Sequence, residues 1–213
     1  MKYKFIDIGC GHQSVSSDIF GTNVVGMYVE PIKEYLDILP AGKNIVKENS
    51  VISDENKIIK FNAVIAKNPQ YFTRKAMERI VKNDKSYKRY KEQYSASGQS
   101  SLFKFDTIKP FAKQIEVNSL TLESLFQKHN VTEIDYLKID VEGAEEILLN
   151  QLIILLDSNK IKINEQIKFE YNELSDKPQL DKLTNYITQH HNFASKFELS
   201  YPWNADIVLN KTK

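Results

Sequence analysis

IDYLKIDVEGAEEILLNQL, Ile134 to Leu152, decides the fold. Its first half is an apolar run, Ile134, Tyr136, Leu137 and Ile139, that reads as a buried strand. The run ends in the carboxylates Asp140, Glu142 and Glu145 around the turn residue Gly143, and an amphipathic helix, Ala144 to Leu156, follows. A strand that carries acids to its C-terminal end, where a helix begins, sets them in the crevice where open α/β sheets bind ligands.

Working outward, the same alternation of strand and helix patterns recurs. Phe5–Ile8 reads as a first strand, Ser14–Phe20 as a short helix and Asn23–Pro31 as a second strand. Pro31 suits the first position of a helix over Ile32–Leu39. Lys57–Ile65 is expected as the third strand, Thr73–Tyr94 as a long charged helical stretch, and Ser95–Ser101 as a polar loop. Gln114–Val117 reads as a short strand and Thr121–His129 as a helix; beyond the opening block come a strand at Ile167–Leu174 and a helix at Gln179–His190. Phe193–Leu199 and Ala205–Leu209 close the chain as consecutive strands. This order predicts a Rossmann-like α/β fold: a mainly parallel seven-stranded sheet, helices on both faces, and an antiparallel C-terminal edge hairpin.

Composition narrows the function classes. The 213 residues suffice for one well-buried core and are few for two domains. With 41% hydrophobic and 27% charged residues, the chain falls among soluble globular proteins. A net charge of +1 sets up no global field toward nucleic acid or an anionic membrane. Cys10 is the one cysteine, which excludes an internal disulfide framework and a Cys-based zinc site. No apolar stretch approaches the roughly 20 residues that span a bilayer. MKYKFIDIG enters a strand with no room for a signal peptide, so the expectation is a single cytoplasmic domain over 1–213 without membrane contact.

FIDIGCGH, Phe5 to His12, puts an acid, Asp7, inside a strand and follows it with Gly9 and Gly11 in a tight turn. Such glycines let backbone N–H groups approach a ligand. The nicotinamide fingerprint wants a third glycine where this chain has Ser14, which argues against a dinucleotide. Asp7 suits a cofactor that carries positive charge. Glu30, 21 residues after Gly9 on the next strand, is placed to accept both ribose hydroxyls.

These residues resemble the class I S-adenosylmethionine-dependent methyltransferases, and further blocks narrow the likeness to the FkbM-type family. GMYVEPIKEYLDIL (Gly26–Leu39) resembles that family's second strand, FNAVIA (Phe61–Ala66) its third, and GQSSLF (Gly98–Phe103) its Ser-Ser-Leu segment. TLESL followed by IDYLKIDVEGAE resembles its most diagnostic block. The likeness runs in order from Phe5 to about Glu173. It implies S-adenosylmethionine as cofactor and an O-methyltransferase acting on a hydroxyl of a sugar or glycoconjugate. The cofactor residues it implies are Asp7, Gly9, Cys10, Gly11, Glu30, Pro31, Asn62 and Ala63. Two departures stand out: the chain has almost nothing before the first strand, and a basic helical insertion occupies about 69–97.

Removing a proton from a hydroxyl calls for a carboxylate or imidazole within hydrogen-bond reach. Asp140, at the strand end, is the first candidate and Glu142 the second. Glu170 and Ser100 are expected on the acceptor side; Lys138 either joins them or pairs with a carboxylate. His12 is placed to line the methyl-transfer pocket, although a plain loop histidine is the simpler account. Asp140, Glu142 and Glu170 could also hold a divalent cation through oxygen ligands; acids at such a crevice more often bind hydroxyls, so no metal is assigned. His129, His190 and His191 read as solvent-facing.

The stretch Arg74–Lys91 holds eight basic residues against Glu78 and Asp84 and is interleaved with tyrosines. It admits three readings: a solvated helical face, a lid over the cofactor, or a grip on nucleic acid. The last would make the chain an RNA methyltransferase or a non-catalytic binding module; a small-molecule or glycan acceptor is the favoured partner.

Overall fold

The computed structural model describes residues 1–64, 113–171, 175–199 and 205–212. Its strands are β1 (Lys2–Ile8), β2 (Gly26–Val29), β3 (Ile45–Glu48), β4 (Val51–Ile52), β5 (Lys57–Ala63), β6 (Lys113–Leu120), β7 (Glu133–Ile139), β8 (Lys162–Tyr171), β9 (Phe193–Leu199) and β10 (Ala205–Lys211). Its helices are α1 (Val15–Phe20), α2 (Lys33–Ile38), α3 (Leu122–Lys128), α4 (Glu145–Asp157) and α5 (Lys177–His190).

Seven strands form one sheet in the order β3-β2-β1-β7-β8-β10-β9. The pairs from β3 through β8 are parallel, and β10 joins β8 and β9 antiparallel, so the edge hairpin is present. Strand order reverses between β1 and β7, and a ligand crevice belongs beyond the carboxyl ends of these two strands. The β7 residues from Ile134 to Ile139 are all buried, as expected of a central parallel strand covered on both faces. Leu137 and Ile139 join a core with Leu148, Leu149, Leu152, Leu180 and Ile187 from α4 and α5. Tyr136 faces the other way, where Phe5, Tyr28, Leu36 and Leu39 pack with Phe20 of α1. Caps fix where helices start: Ser14 accepts from Ser17 N–H before α1, Thr121 from Ser124 N–H before α3, and Asp176 from Gln179 N–H before α5.

The structure revises several expectations. KIIKFNAVI does not supply the third strand of the large sheet; β5 instead pairs antiparallel with β6 in a separate three-stranded sheet, β4-β6-β5. The edge position is taken by β3, which pairs parallel with β2. The expected short strand at Gln114–Val117 is the eight-residue β6, and β8 begins at Lys162 rather than Ile167. Pro31 lies before the cap of α2 rather than inside it, because the Ile32 N–H donates to Glu30 Oε1 and Ile32 is the cap residue. His129 and His191 are not plainly solvent-facing: their Nε2 atoms lie 2.8 Å from Glu48 and 2.9 Å from Asp157. Ser100, the loop at Ser95–Ser101 and the basic insertion at about 69–97 fall outside the described residues. Among the described residues, no helix is long and apolar enough to cross a membrane.

Candidate active site

The turn after β1 is held by backbone. Gly9 N–H donates to Val29 O at 2.9 Å, and Gly9 and Gly11 adopt φ of 75° and 58°, where glycine is favoured. Gly9 also fits against the end of β7: a Cβ there would stand 1.7 Å from the backbone oxygen of Asp140. A Cβ on Gly11 would meet nothing within 4 Å. Glu30, buried at the end of β2, closes the turn by accepting Gly11 N–H on Oε2 at 2.8 Å and Ile32 N–H on Oε1 at 2.9 Å. Burial pushes its carboxyl up to about 7, more than the two N–H bonds pull it down.

Beyond these strand ends lies a half-open cavity whose empty space, open solvent included, is about 550 Å³. Gly9, Gly11, Glu30 and Pro31 line it on one side and Asp140, Val141 and Glu142 on the other. Tyr35, Ser50, Val51, Ile52 and Phe61 complete the wall. Those five were not anticipated from sequence. Phe61 stands there in place of its neighbours Asn62 and Ala63, which the structure does not bring to the cavity. Cys10 is buried behind the turn with its thiol toward Val29 O at 3.6 Å; burial, with Asp7 and Glu30 nearby, raises its pKa well above the ordinary thiol range. His12 stacks obliquely on Tyr35 at 5.2 Å between ring centroids, and burial lowers its pKa.

On the β7 side, one cross-strand chain of charges runs from the turn to the strand end. Ser14 Oγ donates to Asp7 Oδ2 at 2.6 Å, Lys138 Nζ lies 3.6 Å from Asp7 Oδ1, and the same ammonium donates to Asp140 Oδ2 at 2.7 Å. Burial works against the Lys138 charge, but Asp140 and Asp7 more than offset it and raise its pKa. Lys138 therefore pairs with the carboxylates of Asp7 and Asp140. Asp140, Glu142 and Glu170 each bring a carboxylate oxygen within 4.8 Å of the others, the one grouping among the described residues that could hold a metal ion. Glu142 and Glu170 are both held above the usual carboxylate range, first by burial and then by neighbouring negative charge. Glu145 is structural. Its two oxygens accept the Val141 and Gly143 N–H groups at 3.0 Å each, which closes the loop at the start of α4.

Residues 9–195 match the methyltransferase FkbM domain. The chain belongs to the FkbM methyltransferase family. It is thus an S-adenosylmethionine-dependent methyltransferase, built on the doubly wound sheet described above. Among solved structures it is similar to a chain described as "Human methyltransferase 10 domain containing protein", at 9% identity and a TM-score of 0.41, covering 99% of this chain and 72% of that one. A second, "delta-N METTL16 MTase domain", has 9% identity and a TM-score of 0.38 over 99% and 72% of the two chains. No curated protein matches the chain.

The residues present fit the cofactor that an FkbM methyltransferase uses. Each Glu30 oxygen has accepted one N–H and keeps a lone pair for a ribose hydroxyl. The space at Gly11 is open, and Ser50 Oγ on the cavity wall is buried without a hydrogen-bond partner.

Proposed function

We propose that this FkbM methyltransferase is an O-methyltransferase that modifies a hydroxyl of a sugar or other polyhydroxylated acceptor, with Asp140 as the base. The observation that carries the reading is the adjacency of two unlike subsites. A glycine turn with a ribose-binding carboxylate, Glu30, opens onto the same cavity as Asp140 and Glu142, with Glu170 beside them. Carboxylates grouped so closely suit neighbouring hydroxyls, since each oxygen accepts a hydrogen bond from a donor that water would otherwise satisfy.

When bound, S-adenosylmethionine supplies a methyl group on a positively charged sulfur. Gly9, Gly11, Glu30 and Pro31 would hold its nucleoside, with Asp7 buried behind the turn. Lys138 grips Asp140 Oδ2 and leaves Oδ1 for the acceptor. Asp140 Oδ1 would take the proton of the acceptor hydroxyl whose oxygen receives that methyl group. Orientation of the two reactants contributes up to ~7–11 kcal/mol in well-aligned systems. Glu142 and Glu170, raised in pKa, can donate as well as accept and so orient a neighbouring hydroxyl.

The test is transfer of labelled methyl from S-adenosylmethionine to a panel of glycans, glycosides and RNA. The reading expects base-stable label on a glycan or glycoside, lost in Asp140→Asn while cofactor binding survives. Label confined to RNA, or full activity in Asp140→Asn, would overturn it.

A further inference from the structure

β9 is an outer strand of the large sheet, and among the described residues no strand pairs with its free side. It runs beside β10 from Phe193 opposite Lys211 to Leu199 opposite Ala205, with no bulge in the register and no proline in the strand. Such an edge presents a row of backbone N–H and C=O groups that templates another strand unless a charge, a proline, a bulge or a covering element blunts it. The side chains are open too: Ala194 to Phe197 are exposed, and Leu199 is 87% exposed. Phe197 stands opposite core residue Ile207 and Leu199 opposite Ala205, so the apolar face of the sheet runs out to this edge and ends bare. The opposite edge differs: Ile45, Val46 and Lys47 of β3 are half-buried and Glu48 is buried. Lys196 is the one charge that could blunt β9, and Glu198, on the same face, lies 3.3 Å from it.

We infer that the β9 edge docks a second copy of this chain, strand against strand, about a two-fold axis through Phe197. A two-fold axis perpendicular to the sheet pairs β9 antiparallel with itself and sets one residue opposite its own copy. Centred on Lys196 or on Glu198, the pairing opposes like charges, which is destabilising. Centred on Ser195, it leaves Lys196 opposite Ala194 and Glu198 opposite Asn192, so neither charge is answered. Centred on Phe197, Lys196 of each copy faces Glu198 of the other, and the strand is self-complementary in charge. The same register sets Phe197 against Phe197, an aromatic cross-strand pair, with Leu199 beside it opposite Ser195. It uses only Ser195 to Leu199 from each copy. β8 and β10 stand between β7 and β9, so the cavity beyond β1, β2 and β7 stays open in both copies.

The experiment is sedimentation velocity of the full chain, from micromolar to hundreds of micromolar, on wild type, Lys196→Glu, Glu198→Lys and an equimolar mixture of the two variants. Both side chains are exposed, at 66% and 42%, and Lys168 near Glu198 keeps its 2.8 Å pair with Asp206, so both variants should melt like wild type. Wild type should dimerise with rising concentration. Each variant alone opposes like charges twice and should dimerise at least tenfold more weakly. The mixture opposes two acids with two lysines and should recover a dimer that holds one of each. A wild type that stays monomeric throughout overturns the inference. A dimer that persists unchanged in both single variants uses another face and overturns it equally, as does a mixture that gains nothing over its components.

Discussion

Gly9 and Gly11 sit two residues apart in one turn, both at positive φ, yet they should respond very differently to alanine. Forcing a non-glycine residue into the left-handed region costs roughly 1–2 kcal/mol. For Gly11→Ala that is the whole penalty, since the new methyl meets nothing within 4 Å. For Gly9→Ala the methyl would lie 1.7 Å from the Asp140 backbone oxygen, and β1 or β7 must shift. Overpacking of that kind adds about 1–3 kcal/mol or more, for a total of roughly 2–5 kcal/mol. In a chain of this size each kcal/mol moves the melting temperature by about 2–4 °C. Gly11→Ala should therefore melt only a few degrees low, and Gly9→Ala at least twice as far. Binding should follow the opposite order of interest. Gly11 lines the cavity, so the folded variant should lose S-adenosylhomocysteine affinity by tenfold or more. Urea and thermal melts with and without S-adenosylhomocysteine decide it. Equal destabilisation of the two variants, or a Gly11→Ala protein that binds like wild type, would refute the reasoning about the turn.

Stability should also fall with rising pH. Burial lifts Glu30 and Glu145 from the ordinary 4.5 to about 7 in the folded protein, so the folded state holds more protons between those values. Their stabilising contribution is complete below about 4.5 and is lost as pH rises through 7. Half-buried His12, with its lowered pKa, slopes the other way below 6.5. Ligand-free wild type should melt lower at pH 8 than at pH 5.5, and Glu30→Gln should flatten that decline; a flat wild-type profile would contradict the burial account. Asp140→Asn should retain S-adenosylhomocysteine affinity within about threefold, since Asp140 lines the cavity and is proposed to act on the acceptor and not the cofactor. A loss as large as that of Glu30→Ala would move Asp140 to the cofactor side.

Much of this site was legible because its chemistry is local in sequence. Asp7, Gly9 and Gly11 lie within five residues, Glu30 follows the next strand, and Asp140 and Glu142 follow an apolar run whose residues Ile134 to Ile139 are all buried. The C-terminal hairpin was legible for the same reason: two neighbouring strands that pair with each other. What escaped is what depends on distant pairing. β3 has four residues, two of them Lys47 and Glu48, and owes its existence to pairing with β2 rather than to its own pattern. β4 has two residues and pairs with β6 across a long separation. With those strands unread, KIIKFNAVI looked like the third strand of the large sheet, and Asn62 and Ala63 were placed at the cofactor. Ser50 carried no motif to mark it; only its burial on the cavity wall singles it out. Lys138 could be read either way in sequence, and its 2.7 Å bond to Asp140 resolves it as a carboxylate partner.

The central claim is that the cavity beyond β1 and β2 takes a sulfonium nucleoside through Glu30. Calorimetric titration of wild type and Glu30→Ala with S-adenosylmethionine, S-adenosylhomocysteine and NAD tests it most directly. The account predicts one-to-one binding of the first two to wild type, at least a tenfold loss in Glu30→Ala, and no binding of NAD. Binding of NAD in their place, or full affinity in Glu30→Ala, would contradict it.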